Sequence, residues 1–176
     1  MKKKIIICIF IIIGSYNLHA QNPYDNSIGG IVGFLNGGSY KAFITDNLAF
    51  QVDFGFKSLH YAFGFKSLHY AFGLEANVNL MYEGAIKDGF YWFAGAGISG
   101  GPAFGEKIIT FQNTNDRFVV FKMGVNSIGG VEYNFRNIPL TLQADIRPGV
   151  LFYIWKGEAT TRFDYNFLNV SARYTF

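Results

Sequence analysis

Cysteine is almost missing from this chain: Cys8 is the only one in 176 residues. It sits inside an early apolar run with no small-residue box ahead of it, so a lipoprotein anchor is not indicated. The rest of the chain can have no disulfide framework and no thiol chemistry. Charge is scarce as well, at 15% of residues, where a soluble domain carries about 25%. Histidine is limited to His19, His60 and His69, and no HExxH or CxxC spacing occurs, which argues against a zinc site. A long apolar run is absent too. The longest, Ile5 to Ile13, is far short of the about 20 residues that a helix needs to cross a bilayer.

What the chain has instead is 19% aromatic residues and 21 glycines. Low charge, many aromatics and no long apolar stretch suit a sheet that closes on itself better than a bundle of membrane helices.

Residues 1–20 read as a secretory signal. Lys2, Lys3 and Lys4 form its charged start, Ile5 to Ile13 its apolar middle, and Leu18-His19-Ala20 a cleavage site before Gln21. Those three lysines account for the whole +3 net charge of the sequence. The mature remainder is balanced and offers no basic patch for nucleic acid. A short segment, 21–26, precedes one domain, 27–176.

The end of that domain has the clearest pattern. Leu168, Val170, Ala172, Tyr174 and Phe176 alternate with Asn169, Ser171, Arg173 and Thr175. Side-chain direction in a strand repeats every two residues, so all the apolar groups share one face. Eight such segments are expected: Ser27–Leu35, Ser39–Thr45, Leu48–Phe56, Phe72–Tyr82, Phe90–Ser99, Phe118–Phe135, Leu140–Trp155 and Arg162–Phe176. The connections alternate between tight turns and longer loops. Asp46-Asn47, Glu83–Gly89 and Arg136–Pro139 lie at one end. Asn36-Gly37-Gly38, Lys57–Ala71, Gly100–Arg117 and Lys156–Thr161 lie at the other.

Aromatics gather at both strand ends. Tyr82, Phe90, Trp92, Tyr133, Phe135, Tyr174 and Phe176 fall at the short-turn end, and Phe118, Phe121, Phe152, Tyr153, Trp155, Phe163 and Tyr165 at the other. Two such girdles belong at two water–lipid interfaces. The expected fold is therefore all-β: an eight-stranded antiparallel up-and-down transmembrane β-barrel behind a cleaved signal peptide. A soluble lipocalin-like barrel has the same period, but its outward face is rich in Lys and Glu. The polar faces here are mostly Gly, Asn, Gln, Ser and Thr, which suit a tight interior.

Under that facing, Gln51, Asp53, Glu75, Asn77, Asn79, Glu132, Asn134, Gln143, Asp145, Arg147 and Arg173 line the lumen. Asp145 and Arg147 are expected to project towards Arg173 on the neighbouring strand. The charged members, Asp53, Glu75, Glu132, Asp145, Arg147 and Arg173, form a buried ion-pair network, since buried ions must be paired. A structural plug is expected there, because an eight-stranded interior is about filled by side chains. Pro148 predicts a bulge or bend in the seventh strand. The second strand is ambiguous: a two-residue turn at Asp46-Asn47 sends Lys41 outward, and a longer turn sends it inward.

Two motifs carry less than they suggest. Gly95-Ala96-Gly97-Ile98-Ser99-Gly100 fits GxGxxG, but Gly101-Pro102 follows where a phosphate-binding helix would have to begin. The nine residues Phe54–Ala62 recur unchanged as Phe63–Ala71. Nine is odd, so a copy that simply lengthened a strand would turn every later side chain to the other face. An outer loop accepts such an insertion at little cost.

The alternation, the aromatic ending Ala172-Arg173-Tyr174-Thr175-Phe176, and the segments Ser39–Phe43 and Gly89–Gly95 make the chain resemble small outer-membrane β-barrel proteins of the OmpX/OmpA transmembrane-domain type. The resemblance covers about residues 27–176. It implies a place in the cell outer membrane among outer-membrane lipid and lipopolysaccharide. It also implies passage through the barrel-assembly machinery, with Tyr174 and Phe176 as part of the assembly signal. No peptidoglycan-binding domain of the OmpA kind is expected after the barrel. The expected function is non-enzymatic, with no cofactor or metal, and with surface loops for envelope or surface interaction. The alternatives are a barrel lipid-modifying enzyme, for which His60 or His69 with Ser58 or Ser67 is the one reactive constellation, and a narrow channel for small hydrophobic solutes.

Overall fold

The structure is a computed structural model and describes residues 24–59, 71–105, 118–155 and 158–176. Eight strands follow one another: β1 (Asn26–Gly33), β2 (Leu35–Phe43), β3 (Leu48–Leu59), β4 (Ala71–Lys87), β5 (Phe90–Gly105), β6 (Phe118–Asn134), β7 (Leu140–Trp155) and β8 (Glu158–Thr175). Each pairs antiparallel with the next, and β1 pairs with β8, which closes an up-and-down barrel. Closure leaves no continuous open edge around the wall.

The strictest alternation is where the sequence has it. On β8, Asn169, Ser171 and Arg173 are buried inside, while Val170, Ala172 and Tyr174 face out. The same rule holds on β3 and β4, where Gln51, Asp53, Glu75, Asn77 and Asn79 point inward and Val78, Leu80 and Tyr82 outward. Charge and amide groups fill the inside; aliphatic and aromatic groups cover the outside.

The turns settle the strand ends, and several differ from expectation. β1 stops at Gly33, and β2 already begins at Leu35, so Asn36-Gly37-Gly38 is strand and not a connection. Gly33 (φ 134°) makes the reversal, and the Asn36 side chain brackets it, donating to the Gly33 carbonyl and accepting from the Gly33 N–H. Between β2 and β3, Phe43 pairs with Ala49 and the turn is the longer form, 44–47, so Lys41 points inward. β4 runs through the expected Glu83–Gly89 connection to Lys87. Asp88 (φ 52°) and Gly89 (φ 88°) then reverse the chain in two residues, because both tolerate the positive φ of the tight hairpin turn.

The far end is strand where loops were expected. Lys57–Leu59 and Ala71 belong to β3 and β4, β5 continues to Gly105, and β8 starts at Glu158. The first copy of the nine-residue repeat is thus largely β3; the seam between the copies lies outside the described residues, as do residues 1–20, His60, Ser67 and His69. Tyr153 was expected in the outer girdle. It is buried in the lumen, because Phe152 and Ile154 on either side take the outward positions.

The irregularity expected at Pro148 lies beside it. The β6–β7 ladder lapses between Asn126–Gly149 and Gly129–Ile146, where Pro148 has no N–H to offer. The bulge itself is on β8, where Phe167 and Leu168 together oppose Ile146 and both face outward.

The wall is uneven in height. β1 and β2 have 8 and 9 residues, against 16 to 18 in each of β4 to β8. β1 leaves β8 at Gly33–Asn169, whereas β7 and β8 stay paired as far as Trp155–Glu158. The β1–β2 hairpin therefore makes a low side in a taller cup.

Candidate functional site, the barrel interior

Three tiers of charge are stacked along the lumen. At the end where β1 begins and β8 finishes (the termini end), Lys41 of β2 donates to Glu83 of β4 and, at 2.8 Å, to Glu132 of β6. Arg173 of β8 donates to the same Glu132 carboxylate at 2.8 Å, to Gln143 Oε1 at 2.5 Å and to Ser39 Oγ at 3.1 Å. Tyr24, from just ahead of β1, donates its hydroxyl to the other Glu132 oxygen at 2.5 Å. Burial pushes the Tyr24 phenol well above its ordinary pKa, which keeps that proton in place.

The middle tier is built on Arg147 of β7. Its Nε and Nη2 fork onto Asp145 at 2.6 and 3.0 Å, and its Nη1 reaches Asp53 of β3 at 2.6 Å. Amides complete both carboxylates. Gln51 donates to Asp53 at 2.9 Å, Gln143 to Asp145 at 2.7 Å, and Asn169 to Asp145 at 3.0 Å. At the far end, Glu75 of β4 accepts from Lys57 at 3.2 Å and from Lys122 at 2.5 Å, and Lys57 also reaches Asp164 of β8 at 2.5 Å.

Every buried lysine and arginine in these tiers is paired with at least one acid. That arrangement follows from cost, since an unpaired ion in a low-dielectric interior loses several kcal/mol, about 3–5 when one partner of a buried pair is removed. Each tier sets paired charge across the lumen.

The sequence-predicted lumen residues other than Asn134 are buried, but they do not form one cluster. Asp53, Asp145 and Arg147 share the middle tier, Glu132 and Arg173 the first, and Glu75 the third. Asp145 was expected to face Arg173. Arg173 sits opposite Thr141, whereas Asp145 pairs with Asn169, four residues earlier on β8. The two groups therefore meet only through Gln143. Asn134 lies half-buried at the rim, its backbone N–H bonded to Gly89. Tyr174 and Phe176 face outward at the end of β8, their rings stacked 6.4 Å apart.

Six ionisable groups of the tiers were missed: Tyr24, Lys41, Lys57, Glu83, Lys122 and Asp164, the last because the bulge at Phe167 and Leu168 shifts the alternation of β8. Two had a usable signal. Continuing the alternation of β4 from Glu75 leads inward to Glu83, and continuing that of β6 back from Glu132 leads to Lys122. Lys41 depended on a turn length that the sequence left open, and Lys57 was read as loop because it opens the repeated stretch after Phe56. Nothing in the sequence marks Tyr24.

The interior also holds an apolar step. Ala49, Met81, Phe93 and Ile128 cluster inside, with Phe43 against them. Lys41 Nζ lies 5.0 Å from the centre of the Phe43 ring and 5.7 Å from that of Phe93, close enough for cation–π attraction. Gly130 leaves the space that Phe93 occupies, for a Cβ there would come within 2.7 Å of the ring. Gly97 does the same for Asn79, whose Oδ1 would be 2.1 Å from a Cβ and accepts from Asn126 at 2.8 Å. Gly97 belongs to the GxGxxG match, and β5 runs straight through that match as strand.

Among the described residues, no three His, Cys, Asp or Glu side chains are placed to share a metal ion. The His60, His69 and Ser67 constellation lies outside the described residues, and the Ser58 side chain is likewise undescribed.

No protein-family model matches the chain, and no characterised protein matches it in sequence. Among solved structures, the crystal structure of Neisserial surface protein A (NspA) is similar. It is 15% identical, with 86% of this chain and 94% of that chain covered and a TM-score of 0.45.

Proposed function

We propose that this chain is a non-enzymatic barrel of the cell outer membrane, with an interior filled by side chains and a tall rim that presents loops for envelope or surface interaction. The observation that carries the reading is the inverted polarity of the wall. Val32, Phe54, Ile98 and Val125, on different strands, are 53 to 63% exposed, while Lys41, Asp53, Glu132 and Arg147 are fully buried. A soluble monomer rarely leaves contiguous apolar patches beyond a few hundred Å². Exposed apolar side chains on every strand except β2 fit a lipid surround.

The aromatic pairs support the same reading. Tyr82–Trp92, Phe90–Tyr133 and Tyr133–Phe135 cluster at the termini end, and Phe163–Tyr165–Phe167 at the opposite half of the wall. Outer-membrane lipid and lipopolysaccharide are then the surroundings. Residues 1–20 act as the export signal, and Tyr174 and Phe176 are read by the barrel-assembly machinery during insertion.

Planar-bilayer recording of the purified protein tests the filled interior. No steady conductance is expected. Ohmic steps of uniform size would overturn it.

A further inference from the structure

The mouth at the termini end is covered by a side chain that belongs to no strand. Tyr24 precedes β1, yet it is buried. Three contacts hold it: the hydrogen bond to Glu132, the Phe43 ring edge-on at 5.3 Å, and Lys41 Nζ 5.8 Å from its ring centre. Three positions along the chain, Ser27 is an inward residue of β1. It is fully buried too, although its hydroxyl has no hydrogen-bond partner.

The barrel wall does not depend on Tyr24. Backbone pairing at this end starts with Asp25 and Asn26: Phe43 N–H donates to the Asp25 carbonyl, and Asn26 exchanges two bonds with Phe176. All of Tyr24's described contacts come from its side chain. We propose that Tyr24 is a removable stopper, a ring seated over Glu132 and Lys41 that swings out by rotation ahead of Asp25 while the ladder stays closed. Seated, it keeps water from the first charge tier. Displaced, it opens that tier to the termini side, with the Arg147 tier above still shut. This inference rests on the filled-barrel reading.

Thiol labelling tests it in the full chain refolded in detergent. Cys8 is first replaced (C8S), and S27C then supplies the only thiol, at a site where the native hydroxyl makes no bond. The reagent is a small, permanently charged methanethiosulfonate. With Tyr24 in place labelling is slow. Y24A takes the cover itself away and speeds it about tenfold or more, since labelling no longer waits on a local opening. Y24F loses the bond to Glu132 but keeps the ring, so its rate falls between those of the parent and Y24A. Retention of a heat-dependent gel shift confirms that each variant is folded, and Y24S replaces Y24A if that one is not. Slow labelling in both parent and Y24A overturns the stopper and leaves the filled barrel standing. Y24F labelling as fast as Y24A also overturns it, since the ring would then cover nothing. Fast labelling with Tyr24 in place overturns stopper and filled barrel together.

Discussion

Arg147 Nη1 donates to Asp53 Oδ2 at 2.6 Å across the whole lumen, from β7 to β3, four strands apart around the wall. The same guanidinium forks onto Asp145 two residues away on its own strand. One side chain thus ties opposite walls together and fixes the width of the barrel at mid-height.

Removing that cation leaves two buried carboxylates without a counter-charge. R147M is expected to cost about 3–5 kcal/mol of stability, read from urea unfolding in vesicles. The triple variant R147M/D53N/D145N removes the charges together and should recover most of the loss. A triple variant no more stable than R147M would show that the arginine acts through packing and not through charge.

Gly97 is expected to tolerate no side chain. A Cβ there would meet Asn79 Oδ1 at 2.1 Å and the Val78 carbonyl at 2.5 Å, so both a side chain and a strand must shift. G97A should destabilise by about 1–3 kcal/mol by the same measurement. Gly38 is the control, because its Cβ position is empty. G38A should leave the unfolding midpoint close to that of the parent chain.

Lys57 and Asp164 are joined at 2.5 Å from β3 to β8, just past the tip of the β1–β2 hairpin, where Leu35 pairs with Lys57. Above that tip the described part of the wall has no β1 or β2 between them. D164N should loosen the far end first. Faster hydrogen exchange is expected over residues 158–168, with unchanged exchange around Arg173. A uniform rise along β8 would place the pair's effect elsewhere.

How these positions were legible differs by kind. Asp53, Glu75 and Arg147 were readable because alternation fixes the face of a residue wherever the strand is unbroken. Met81, Phe93 and Ile128 were not, since the same rule assigns them inward while their chemistry suggests outward; only Gly130 opposite Phe93 explains the fit. Strand ends were read too short because polar and glycine-rich stretches such as Asn36–Gly38 look like turns. They pair as strand here because β3 brings its own glycine, Gly55, opposite Gly37. Which charges meet was beyond pattern reading, for it depends on the slant of β8 against β7, and that sets Arg173 beside Thr141 and not beside Asp145.

The tandem repeat gives a prediction about parity. Facing on β4 is set by its pairing with β3, Lys57 opposite Gly73 and Asp53 opposite Asn77, and not by the length of chain between them. Deleting residues 63–71 should therefore leave every later inward residue inward. The shortened protein is expected to fold and keep its unfolding midpoint, since shortening a loop changes closure entropy only slightly, by about 0.6 kcal/mol per halving. A protein that no longer folds would show that the second copy is structural.

The central claim is that the apolar belt faces lipid and the charges face a closed lumen. Electrophoresis of the outer-membrane fraction in SDS, with and without boiling, tests it most directly. A closed barrel resists SDS until heated, so the account predicts a mobility shift on boiling and recovery of the protein with the membrane. A protein found in the soluble periplasmic fraction, with one mobility under both conditions, would contradict it.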